Sequence, residues 1–313
     1  MSNLRAGGIT EPDKMVLREL GLRYAANIDA VADSVDATVA FYRLVQSLPS
    51  TSTRLLVENS LQLHIKGPSL SSPNIFTASD ESSRKFVIKI LRGTMSGGAQ
   101  YLIQSCEIFR ECQAPIELGL SNPPVALVQT EVLTITDSFS SKVYKVLKMP
   151  RYLCTLAEEP KSWPRELLEQ GARMREALSY MHDREVVHMD IKASNIFIAA
   201  DGHWVLGDFG SSERIGEVIT SSNLQAFSKT PVVGQAADTK YDWFMLLLVL
   251  LREYLPDRNS WIEAFCDHRN RLDAQRITNF IASMDTSDSS LHDLIADIAS
   301  IEHCGNLMDP TTL

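Results

Sequence analysis

Cysteine is scarce in this sequence, long apolar runs are missing, and positive charge is in deficit; each shortage removes a class of protein. The five cysteines, Cys106, Cys112, Cys154, Cys266 and Cys304, include no pair at C-x-x-C spacing. A disulfide framework or a zinc site is therefore not expected, and a reducing intracellular compartment, cytoplasmic or nuclear, is. The stretch Met1 to Pro12 lacks the apolar core of a leader peptide. The strongest apolar run, Trp243 to Leu251, is too short to span a bilayer and is followed by Arg252 and Glu253. It reads as a buried helix, so no membrane insertion is expected. A formal net charge of -9 offers no broad basic face, so no nucleic-acid partner is expected. What remains is a chain with 44 % hydrophobic residues, enough for a real core, and 313 residues, enough for one large domain in two lobes or two modest ones.

The periodicity changes twice along the chain. Residues 13–47 place apolar side chains at mostly three- and four-residue steps, which predicts helix, and Pro49 to Thr53 reads as a turn. From 54 to 149 the pattern is strand-like. Leu61, Leu63 and Ile65 alternate with polar residues, and Lys85 to Leu91, Val125 to Ile135 and Val143 to Met149 are β-rich runs. One helix, about 98–112, interrupts them. After Pro150 the chain is mainly helical. Pro164 opens a helix that runs to about His182. Two short strands joined at Asp201-Gly202 follow, then helices near 241–255, 258–267, 272–284 and 289–301. The fold class expected is α+β, with a helical extension over 1–55, a small strand-rich lobe over 56–149 and a larger helical lobe over 150–313.

Chemistry concentrates early in the larger lobe. His188-Met189-Asp190-Ile191-Lys192-Ala193-Ser194-Asn195 is followed, thirteen residues after Asn195, by Asp208-Phe209-Gly210. Any one of these Asp or Asn residues alone is more simply a turn residue. The ordered set, with its internal spacing and intervening strand–turn–strand, resembles the catalytic loop and D-F-G motif of eukaryotic-type protein kinases. The resemblance covers roughly residues 60–300. It implies a bilobal fold, ATP and Mg²⁺ as nucleotide and cofactor, and a Ser or Thr hydroxyl of a protein as acceptor. Phosphoryl transfer needs positioning and charge neutralisation more than covalent help. Asp190 is implied as the catalytic base that orients the hydroxyl, and Lys192 as a positive charge near the transferred phosphate. Asn195 and Asp208 are implied as oxygen ligands of Mg²⁺. In the small lobe, Val87-Ile88-Lys89 resembles the lysine motif that pairs with the α- and β-phosphates. Leu147 matches the gatekeeper, with the backbone of about 148–150, Met149 included, meeting the adenine. Phe197 matches the residue under the base, Gly67 the phosphate-covering loop, Asp242 the buried tether of the catalytic loop, and Thr230-Pro231 the end of the activation segment.

Four departures accompany the resemblance. Between Ile65 and Asn74 there is only one glycine, Gly67, and the Pro68 beside it has no N–H. The acidic partner of Lys89 falls on Glu107 or is replaced: a gap-free match anchored on Pro115 puts Ser105 at that position, with Phe109 as the packing residue one turn on. No A-P-E motif follows Thr230-Pro231. Met189 stands where the family carries an arginine that binds an activation-segment phosphate, so switching by such a phosphate is not expected. Ser211, Ser212, Thr220, Ser221, Ser222 and Ser228 remain modifiable hydroxyls. Three readings follow: an active Ser/Thr-type protein kinase, a pseudokinase acting as a nucleotide-binding or scaffolding module, and a small-molecule kinase. Oligomeric state, substrate and the role of residues 1–55 stay open.

Overall fold

The structure is a computed structural model that describes residues 51–69, 72–91, 110, 112–119, 124–136, 143–159, 164–220, 222, 224, 232–284 and 289–308. The expected helices over 13–47, and the positions Ser105, Glu107, Phe109 and Thr230-Pro231, lie outside them. The chain divides into two compact units, Met1–Gln104 with Thr130–Arg151, and Ser105–Gln129 with Tyr152–Leu313.

In the first unit, helix α1 (Thr51–Leu61) precedes strands β1 (His64–Ser69), β2 (Ser72–Ser79), β3 (Lys85–Leu91), β4 (Glu131–Thr136) and β5 (Val143–Pro150). They form one antiparallel sheet in the order β1-β2-β3-β5-β4. Strand β3 forms where β-branched and aromatic residues concentrate, and its period of two divides the chemistry between faces. Ile88 and Ile90 are fully buried with Phe76, Ile135, Val146 and Val57 of α1. Val87 and Lys89 point to the other face, where β5 sets Met149 opposite Val87 and Leu147 opposite Lys89.

Two expectations need correction here. Helix α1 begins at Thr51, inside the stretch read as a turn. Ser and Thr favour helix starts as well as turns, and burial of Val57 on the sheet decides between them. Of the supposed alternation, only Ile65 lies on a strand. Leu61 ends α1 and Gln62 takes a left-handed φ of 50°. Glu58 then joins helix to strand, its Oε1 accepting the Ile65 N–H at 2.9 Å. The run 125–135 also splits. Val128 N–H donates to the Leu206 carbonyl and Leu206 N–H to that of Ala126, so 126–128 pair within the second unit and only Glu131 onward joins the sheet.

The second unit is built around a helix, α3 (Thr239–Tyr254), buried on nearly every side. Asp238 caps it by accepting the Lys240 N–H. Helix α2 (Pro164–His182) packs on it closely at Gly171, where an added Cβ would lie 2.8 Å from Leu294 and 3.2 Å from Leu250. Short strands β6 (Cys154–Thr155), β8 (Ile196–Ile198) and β9 (Trp204–Leu206) form one sheet, and β7 (Val186–Val187) pairs with β10 (Glu213–Arg214). Helices α4 (Trp261–Phe265), α5 (Ala274–Ser283), α6 (Ser289–Ile298) and α7 (Ile301–Cys304) follow. The helix expected from about 98 is described at 110 and over 112–119, running on through Pro115.

Cys112, Cys154, Cys266 and Cys304 are free thiols; Cys106 lies outside the described residues. Burial, aided by the Glu159 carboxylate that accepts the Cys154 S–H, pushes the Cys154 thiol up to about 11. Among the described residues no helix is long and apolar enough to cross a membrane.

The sheet predicts an asymmetry between adjacent residues. Ile88→Ala leaves a cavity in a fully buried position and is expected to cost about 2–5 kcal/mol of stability, whereas half-buried Val87→Ala costs less. Urea denaturation of the two variants measures the difference.

Candidate active site

The site in the second unit begins with a buried carboxylate. Asp242, in the first turn of α3, has no solvent exposure and accepts three hydrogen bonds. The His188 N–H reaches its Oδ2 at 2.7 Å and the Met189 N–H its Oδ1 at 2.9 Å. The His182 Nε2, from the end of α2, lies 3.0 Å from Oδ2. Two successive N–H groups on one carboxylate require a sharp turn, and Met189 adopts a left-handed φ of 64°. Such a backbone costs a non-glycine residue on the order of 1–3 kcal/mol and persists only where its surroundings impose it.

His188 passes the constraint onward. Its Nε2 lies 3.1 Å from the Gly207 carbonyl and its Nδ1 3.3 Å from the Asp190 N–H. A carbonyl needs a donor and an N–H needs an acceptor, so the ring carries its proton on Nε2. The loop is thereby joined to the turn after β9. Gly207 N–H donates to the Asn195 carbonyl at 3.0 Å, and an added Cβ on Gly207 would meet Val128 at 2.5 Å. Asp208 follows in the left-handed region, φ 65° and ψ 72°, with an exposed side chain.

The Asp190 carboxylate is held on both sides. Lys192 Nζ donates to its Oδ1 at 3.0 Å and its Oδ2 at 2.8 Å. Asn195 Nδ2 donates to its Oδ2 and to its backbone carbonyl, each at 2.9 Å. Both Asn195 contacts are acceptors, which orients the amide and leaves Oδ1 as its acceptor end. The structure thus brings Asp190, Lys192 and Asn195 together and places Asp208 one residue beyond a backbone bond to Asn195. Phe197, on β8, stacks on Tyr152 at 5.5 Å between ring centroids and lines the close approach at Gly207.

The first unit carries the remaining sequence-selected residues. Lys89, Leu147 and Met149 share one face of the sheet, with Lys89 between Ile75 and Leu147 on the neighbouring strands. Gly67 lies within β1, where the register with β2 shifts between Ile65 and Pro68 and again between Pro68 and Ser69. The poor glycine stretch is thus an irregular hairpin.

A second polar network is one that sequence reasoning missed. Arg110 Nη2 pairs with Glu213 Oε1 at 2.9 Å, with both side chains largely buried. Thr220 bridges them: Arg110 Nη1 donates to its Oγ1 at 2.5 Å, and its N–H and hydroxyl donate to Glu213 at 3.3 and 3.2 Å. Arg214, next along β10, pairs with Glu117. Burial pushes the Glu213 carboxyl above its ordinary range, with Arg110 and the Thr220 bonds opposing. The backbone also secures this segment. Ile215 N–H donates to Glu185, Ile219 N–H to Gln235, Gly234 N–H to Ile219 and Ala237 N–H to Glu217. Residues 232–237, where no A-P-E stands, turn back to pair with 216–219.

The family model described as protein kinase domain matches residues 126–295. The Serine/threonine-protein kinase US3 homolog of Cercopithecine herpesvirus 9 (strain DHV) is 29 % identical over 85 residues, 26 % of this chain and 25 % of that protein. Mitogen-activated protein kinase kinase kinase 3 of Homo sapiens is 31 % identical over 96 residues, 28 % of this chain and 15 % of that protein. MAP kinase kinase MKK1/SSP32 of Saccharomyces cerevisiae (strain ATCC 204508 / S288c) is 32 % identical over 102 residues, 28 % and 20 %. The chain spans a quarter or less of the length of these relatives.

Two measurements test the two networks. Asp242→Ala strips an acceptor from three donors in the interior and is expected to cost about 3–5 kcal/mol in urea denaturation. Asp242→Asn, which keeps one oxygen, costs less. For Glu213 the folded state holds its proton more tightly than the unfolded chain does. The stability it confers therefore falls as pH rises through the folded pKa. The melting temperature of the wild type minus that of Glu213→Gln is expected to be more positive at about pH 5 than at about pH 7.

Proposed function

The chain belongs to the protein kinase domain family, and from that premise we propose that it transfers the γ-phosphate of ATP to a serine or threonine hydroxyl of a protein, with Asp190 as catalytic base. The observation that carries this reading is the Asp190 carboxylate, only 15 % exposed and held by Lys192 and Asn195 in one orientation. A carboxylate so fixed accepts the hydrogen bond of an incoming hydroxyl and aims its oxygen. Lys192, 43 % exposed, keeps a compact positive charge beside that carboxylate, where a transferring phosphoryl group needs it.

The donor set fits Mg²⁺, a hard cation that takes oxygen ligands and is held by few carboxylates together with substrate phosphates. With its nitrogen committed to Asp190, Asn195 offers Oδ1, and Asp208 offers an exposed carboxylate. When bound, Mg²⁺ supplies neutralisation of phosphate charge. Lys89 is assigned to the α- and β-phosphates, supported by its place beside Leu147 on the sheet face opposite the first unit's core. Leu147 and Met149 are assigned to the adenine and Phe197 to its underside. The cationic Lys192 and the D-F-G sequence favour a protein acceptor over a metabolite. Favouring the alternative, a nucleotide-binding scaffold without transfer, is the irregular β1, where Pro68 supplies no N–H beside Gly67.

Labelled-phosphate transfer from ATP·Mg²⁺ to generic protein substrates decides between these. Wild type is expected to label protein, with Asp190→Ala reduced roughly 10²–10⁴-fold and Asp208→Ala likewise impaired. An ATP·Mg²⁺ thermal shift in wild type without any transfer overturns the enzyme in favour of the scaffold.

A further inference from the structure

Immediately beside the catalytic loop, the second unit contains a cavity of about 300 Å³. The geometry points to this cavity as the docking site for the substrate segment that flanks the acceptor hydroxyl, a segment carrying a bulky apolar side chain next to a carboxylate. The inference rests on the phosphotransferase reading and specifies which proteins that site takes.

Position comes first. The cavity is bordered by Lys192, whose Nζ lies on the Asp190 carboxylate at 2.8 Å. A chain whose hydroxyl meets Asp190 therefore passes Lys192 to enter it. The lining explains the apolar part of the occupant. Met245 and Leu248 of α3, Leu224, and Trp261 on α4 line the space. Pockets lined this way take apolar groups, while a few polar ones fix orientation.

The carboxylate follows from charge. The charged residues lining the cavity are both cationic, Lys192 and Arg252, in a chain whose formal net charge is -9. Lys192 already has its carboxylate. Arg252 has only Glu253 Oε1 at 3.7 Å among the described residues, beyond hydrogen-bond length, and its side chain is 24 % exposed. A guanidinium presents a planar fork of donors that a carboxylate fills with two parallel bonds. An Asp or Glu beside the apolar residue satisfies Arg252, whereas a Lys or Arg there brings like charges together.

The test uses the full chain, ATP·Mg²⁺ and synthetic peptides sharing one serine, one flanking Leu and a neighbouring Glu, Ala or Lys placed at each position in turn. Wild type is expected to favour a Glu peptide over its Lys counterpart by about tenfold or more in kcat/KM, and Arg252→Glu to reverse that ranking. Trp261→Ala is expected to raise KM for the Leu peptides, and to change KM much less for an added control peptide in which that Leu is replaced by Ala. Equal use of Glu and Lys peptides, or a ranking that survives Arg252→Glu, overturns the docking site while labelled product still upholds the phosphotransferase. Failure of that reading shows differently, as no label on any acceptor. Fluorescence anisotropy of the same peptides then decides the cavity alone: tighter binding of the Glu peptide, lost in Arg252→Glu, supports it, and equal binding overturns it.

Discussion

The site of the second unit depends on a carboxylate that never meets solvent. A buried charge is costly unless its hydrogen-bonding capacity is filled, and Asp242 fills its own with the N–H groups of His188 and Met189 and the ring of His182. Satisfying the carboxylate and bending the loop are the same event. Once the two N–H groups converge, His188 is placed where its ring joins Asp190 to Gly207, and Asp190 is placed where Lys192 and Asn195 reach it. The orientation of the Asp190 carboxylate thus traces back to a residue of the buried helix α3.

That dependence explains which parts were legible in the sequence. Asp190, Lys192 and Asn195 sit within six residues, and the ordered motif they share with the resembled family marked them together. Asp242 was legible through the family resemblance of Asp242-Trp243 at the start of a largely apolar helix. Strand β3 and helix α2 were legible, since a run rich in β-branched and aromatic residues and a proline at the helix start are local signals. Turn against helix start at Thr51 was not, because Ser and Thr serve both and the deciding contact, Val57 on the sheet, is tertiary. The division of run 125–135 between two units likewise leaves no mark in its β-rich composition.

Met189 illustrates a subtler limit. Read as a sequence, it is a lost arginine and a lost phosphate ligand. In the structure it is fully buried among apolar residues, so the position has become part of the core. A separate polar contact joins residues about 110 apart in the chain, where Arg110 meets both Thr220 and Glu213. No spacing rule reaches across such a separation. The available hint was Glu213 itself, an acidic residue five places after Asp208 in a segment otherwise read as polar loop.

These two observations combine into one electrostatic argument. A segment held by an added phosphate needs cations nearby, and the apolar Met189 supplies none. Here the segment carries its own internal carboxylate: Glu213 is nearly inaccessible, paired with Arg110 and bonded to Thr220, and the backbone from 215 to 219 is secured to 185 and to 232–237. Burial raises the cost of that charge, which is why the carboxyl is pushed above its ordinary range even beside a guanidinium. The cost is borne within the fold. The described start of the segment is therefore fixed by groups the chain already carries, and so is the Val186–Val187 strand that leads directly into His188 and the Asp190 loop.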